Sequence, residues 1–138
     1  MIDWRTWLYE VLTTDPTLAT LVPAEQIHGA GSLTKPPAKK PFIIINFGAL
    51  ISGAFPGLDL QNVTLWVHDE PGSYQRITAA LAAIRASLAP DGGRQGRVVG
   101  VPGAIAARWQ GDSADINDEG LRTIARNTTY QLSGVMPS

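Results

Sequence analysis

The chain has 138 residues, 44% of them apolar, and a formal net charge of −1. That is about one domain, with enough apolar material to bury a core without cross-links. The near-neutral balance argues against a free-standing nucleic-acid binder, which carries a basic excess, and the absence of cysteine removes disulfides, thiolate nucleophiles and cysteine zinc sites together.

The N-terminus "MIDWRTWLYEVL" has no basic region followed by an apolar core, so it does not read as a signal peptide. No apolar run approaches the ~20 residues of a membrane span. The expectation is a soluble protein made in a cytoplasm, with no membrane role, in which the sequons at Asn62 and Asn127 are chance matches.

In chain order, Trp4, Trp7, Leu8, Val11 and Leu12 recur at helical spacing, with Asp3 placed as N-cap. A second short helix starts at "TDPTLATLV", where Asp15 caps and Pro16 takes the first helical position. Residues 23–41 read as a link. "SLTKPPAKKP" is rich in proline and lysine, which favours extended, solvated backbone outside any sheet interior.

"PFIIINFGAL" is the strongest strand signal, a β-branched and aromatic run whose lack of alternation suggests burial on both faces. Residues 48–59, "GALISGAFPGLD", read as a mobile loop carrying Leu50, Ile51 and Phe55 with one charge, Asp59. "LDLQNVTLWVHD" alternates with period two, apart from a slip at Gln61–Asn62 that suggests a bulge. A helix over 73–88 follows, with Ser73 as N-cap and Tyr74, Ile77, Leu81, Ile84 and Leu88 on one face. "RVVGV" and "AIAARWQ" read as short strands, "GDSADIND" as an acidic turn, and "GLRTIARNTTYQL" as a final strand with Arg122 and Arg126 on the same face as Ile124 and Tyr130. With few crossover helices, the expected fold is α+β: one domain over 1–138, mostly antiparallel sheet, with two main helices packed on one face.

Three groups of residues invite a chemical reading. His68, Asp69 and Glu70 are the side-chain types of a metal or acid–base centre, but neighbouring strand residues point to opposite faces. A strand end leading into a helix, where a carboxylate is favoured near the N-terminus, explains all three at the rim of the sheet. Asp112, Asp115, Asp118 and Glu119 lack the ligand order of an EF-hand. "DGGRQGR" follows a helix and does not have the spacing of a phosphate-binding loop. No catalytic, metal or cofactor constellation survives, and the chain reads as a protein that works through its surfaces and is not an enzyme. The expected contacts are Leu50, Ile51 and Phe55 for docking, with Arg122 and Arg126 pairing to Asp112, Asp115 and Asp118, across subunits.

The order of pieces carries a resemblance. "DWRTWLYEVLTTDPTLATLV" leads through a proline-broken link to "PFIIINF"; "LWVHDEPGSYQRITAALAAIRASL" joins strand to amphipathic helix; "ADINDEGLRTIARNTTYQL" closes the chain. Over nearly its whole length this resembles the tail terminator (tail completion) proteins of long-tailed bacteriophages. The resemblance implies an α+β subunit in a homo-hexameric ring. That ring would cap the tail tube protein, end its polymerisation and meet the head-tail connector (stopper) protein. Double-stranded DNA would pass through the lumen without sequence recognition. It implies no cofactor and a place in the virion, at the neck end of the tail. The alternatives are another neck or tail ring protein (head completion or tail tube), a small metal-dependent hydrolase centred on His68, Asp69 and Glu70, and an unrelated ligand-binding domain.

Overall fold

Helical spacing of apolar residues at the N-terminus does produce a helix, α1 (Trp4–Thr14), which buries Trp7, Leu8 and Leu12. The computed structural model describes residues 4–32, 35, 37, 39–55, 58–89 and 105–134, with backbone alone at 4, 32, 52–55, 58, 105 and 106. Asp3, the Trp4 side chain and "RVVGV" therefore lie outside the described residues. α2 (Pro16–Leu21) begins as expected: the Asp15 carboxylate accepts from the Leu18 N–H at 3.3 Å, satisfying one of the free donors of the first turn, and Leu18 is buried.

The segment expected to be a link holds more structure than that. It contains 3₁₀ turns at Ala24–Gln26 and Ala30–Ser32 with a strand between them, β1 (Ile27–Gly29). A three-residue strand has too little length to show a period; burial of Ile27 anchors it.

β2 (Phe42–Phe55) and β3 (Leu58–Asp69) form a long antiparallel hairpin. The expected loop at 48–59 is thus mostly strand, with Phe55 opposite Leu58. The expected slip at Gln61–Asn62 is also displaced. β3 keeps unbroken register with β6 (Thr123–Gly134), and the irregularity lies in β2, between Phe47 and Leu50 and again between Ile51 and Phe55. Gly48 is at the first irregularity; a Cβ there would come within 3.2 Å of the Asn62 carbonyl oxygen, so the close approach favours glycine.

α3 (Tyr74–Leu88) buries Ile77, Ala80, Leu81, Ala83, Ile84 and Leu88. Tyr74, expected on that face, is exposed, and Ser73 occupies the cap position without a capping side-chain hydrogen bond. β4 (Ile105–Asp112) and β5 (Ile116–Asp118) pair with successive parts of β6. The expected acidic turn is therefore the end of β4, a short crossing and β5. Gly111, at φ +139°, takes up the register shift after Trp109.

The sheet runs in the order β1-β2-β3-β6-β4, with β5 beside β6, and only β1–β2 is parallel. This is the α+β architecture expected. Register puts Ile43 beside Val67 and Arg126, Ile45 beside Leu65 and Thr128, and Phe47 beside Val63 and Tyr130. The apolar members of these rows join Trp7, Leu8, Leu12, Leu18 and the buried residues of α3 in one core. The helices therefore cover this face. The other face carries Ile44, Trp66 and Asn127 in one row and Asn46, Thr64 and Thr129 in the next, all half-buried or exposed.

Candidate interaction surfaces

His68, Asp69 and Glu70 occupy three different environments. Alternation sends His68 to the face away from the helices, where its ring stacks on Phe42 with centroids 4.8 Å apart and Nδ1 lies 2.9 Å from the Thr123 hydroxyl. His68 and Asp69 do close β3 at the rim of the sheet, as expected, but both are buried there. Burial pushes the His68 pKa below its usual value, opposed by the negative charge of Asp118. Asp69 continues the parity of Val63, Leu65 and Val67 and so faces the helix layer. There it accepts hydrogen bonds from Arg76 Nε and Nη2 at 2.5 and 2.6 Å, and from the Glu70 N–H at 2.7 Å. Glu70 is exposed. The three side chains do not converge, as the strand geometry required. Among the described residues no three His, Asp or Glu side chains are grouped so as to hold a metal ion.

The carboxylates of the β4–β5 region are separated too. Asp112 accepts from Trp109 Nε1 at 2.9 Å and from Arg85 at 3.1 Å, and the Arg85 guanidinium lies 4.1 Å over the Trp109 ring. These contacts fasten the end of β4 to α3, so Asp112 is committed within its own subunit. Asp118 accepts from the Leu121 N–H at 3.0 Å and closes the turn before β6. Only Asp115 faces one of the expected arginines. It is exposed and lies 3.8 Å from Arg126 Nε, which also donates to the Ser113 carbonyl at 3.1 Å. This pair is intramolecular. Arg122 is not on the strand: it sits at φ +53° in the turn before β6, exposed, and its carbonyl accepts from Lys40 Nζ at 3.2 Å.

The distal hairpin presents the apolar residues. Leu50 is 44% and Ile51 52% exposed, on opposite faces by alternation. The Phe55 side chain lies outside the described residues. Sequence reasoning overlooked Arg76 and Arg85. A signal for Arg76 existed: a carboxylate on the buried parity of β3 requires a cation, and the first turns of the next helix are within reach.

No protein-family model matches the chain, and no curated protein matches it in sequence. The fold has a counterpart among solved structures. A chain described as "Virion of native gene transfer agent (GTA) particle" superposes with a TM-score of 0.68 at 13% identity, over 96% of this chain and 94% of that one. At that identity the likeness is one of fold. No helix among the described residues is long and apolar enough to cross a membrane.

Proposed function

We propose that this protein is a structural component of a phage-type virion. More specifically, we propose that it is a tail terminator. In this reading it forms a homo-hexameric ring that caps the tail tube protein, ends its polymerisation and meets the head-tail connector, while double-stranded DNA passes through the lumen. The observation that carries the reading is the fold likeness to a virion chain, which extends over 96% of this chain. Two features support it. The charged groups at the strand ends are spent on joining elements of one subunit: Asp69 to α3 and Asp112 to Arg85. The exposed Leu50 and Ile51 lie on the outer strand of the β2–β3 hairpin, where an adjoining ring would take them up.

Negative-stain microscopy of the purified protein, alone and with tail tubes, tests this. Six-fold rings seated on tube ends, with elongation stopped, are the expected result. Tubes that keep growing in its presence, with bare ends, would sink the tail-terminator reading. Rings found elsewhere in the neck or tail would favour the head-completion or tail-tube alternative.

A further inference from the structure

Among the described residues, both outer edges of the sheet are open. β1 pairs with β2 only at Ile43, Ile44 and Ile45, which leaves residues 46–55 without a strand on the outer side, although the Ala30–Ser32 turn lies against β2 and the Gly48 carbonyl accepts from Gln61 Nε2 at 2.9 Å. At the other edge, β4 pairs with β6 alone. Soluble proteins usually guard such edges with charge or proline. The segment "NFGALISGAF" has neither. Its two register shifts bend the strand without covering it.

Strand direction restricts what could cover these edges. β2 is antiparallel to β3, β3 to β6 and β6 to β4, so β2 and β4 run in opposite senses. Two copies laid side by side in the same orientation therefore place β4 of one against β2 of the next as an antiparallel pair. Such a contact is head-to-tail, and it repeats around a closed ring. The lengths agree, since β4 has 8 residues and the uncovered part of β2 spans 46–55. A two-fold pairing of β4 with β4 would also be antiparallel, but it would leave the uncharged β2 edge, Leu50 and Ile51 uncovered.

From this we infer that β4 of one subunit adds to residues 46–55 of β2 in the next, so that one sheet runs from subunit to subunit. The inference rests on the ring reading above and specifies the contact that closes the ring. Backbone hydrogen bonds would supply the contact, as in other strand additions. β1 would mark its limit, because its position beside Ile43–Ile45 blocks the neighbour's strand from extending further.

The chain has no cysteine, so introduced cysteines report single contacts. Arg108 on β4 is exposed, as are Asn46, Ala49 and Ile51 on β2. Arg108→Cys is mixed in turn with Asn46→Cys, Ala49→Cys and Ile51→Cys under mild oxidation, at concentrations where rings form, after melting curves confirm folded variants. The expected result is a covalent heterodimer in at least one mixture and none from either partner alone. A variant carrying both cysteines of the productive pair should lose its monomer band to a ladder ending at the ring number. Self-cross-linking of Arg108→Cys would overturn the inference in favour of a two-fold contact. Rings without any cross-link would overturn it and leave the ring reading standing. Protein that stays monomeric at millimolar concentration, and is absent as a ring from tube ends, would overturn both.

Discussion

Arg76, in the first turn of α3, grips the carboxylate of Asp69, the last residue of β3, through two hydrogen bonds of 2.5 and 2.6 Å. Asp69 is fully buried, whereas the Arg76 side chain is 43% exposed. The guanidinium thus spans the turn between strand and helix and neutralises a charge that would otherwise stand alone beneath the helix layer.

Arg76→Ala should destabilise the protein by about 3 kcal/mol, because it strands a buried carboxylate. That exceeds the ~1 kcal/mol of helix-end electrostatics alone. Urea unfolding would measure it, and adding Asp69→Asn should recover part of the loss. A loss near the ~0.5 kcal/mol of a surface ion pair would show that the carboxylate finds water instead.

His68 gives the fold a dependence on mild acid. Its pKa is lowered in the folded state by burial, so the unfolded chain binds the proton more readily. The His68 contribution is present in full above the unfolded value of about 6.5 and is lost as pH falls from there toward the depressed folded value. His68→Gln should flatten the stability profile in that window, read by thermal melts from pH 7.5 to 5. An unchanged slope would remove His68 from the explanation.

At the other end of the scale, Tyr130 has its pKa raised to about 12, chiefly by burial. Neither its hydroxyl nor that of Thr128 has a hydrogen-bond partner among the described residues. An unfolded tyrosine ionises near 10, so stability should fall as pH rises from 10 toward 12. Absorbance at 295 nm should show one of the chain's three tyrosines ionising late, and Tyr130→Phe should abolish that late step. All three titrating together in folded protein would contradict the burial argument.

Leu50 and Ile51 are exposed on the hairpin and contribute little to the subunit's own core. If the proposed docking role holds, the double change Leu50→Asp, Ile51→Asp should alter stability by no more than about 0.5 kcal/mol each and abolish the proposed assembly on tail tubes. A strongly lowered melting temperature in the isolated subunit would move these residues into the core and away from any partner.

Much of the fold could be read from local pattern. Helical spacing in α1 and α3, the Asp15–Pro16 start of α2 and the isoleucine run of β2 each signal their element within a few residues. β1 could not be read, because only the parallel partner across the link gives its three residues a reason to be extended. The hairpin was obscured by its glycines, which signal a loop in isolation yet here sit in bulged strand. Among the charged groups, Arg126 does meet Asp115, but the partner of Asp112 was misjudged for a related reason. Whether Asp112 meets Arg85 or a neighbouring subunit depends on how α3 lies over β4, and no spacing along the chain encodes that.

The placement of the irregularities has a consequence for how the chain tolerates changes of length. β3 and β6 are matched without interruption from Asp59 opposite Gly134 to Asp69 opposite Ile124. One residue removed from the middle of β3 would turn every following side chain over, driving Val63-type residues into water and Trp66-type residues under the helices. β2 already absorbs extra residues at two points, between Phe47 and Leu50 and between Ile51 and Phe55. For the fold of the subunit itself, insertions and deletions are therefore tolerable within about residues 48–54 and ruinous between 59 and 69, so that the outer strand of the hairpin can drift in length while its inner strand stays fixed.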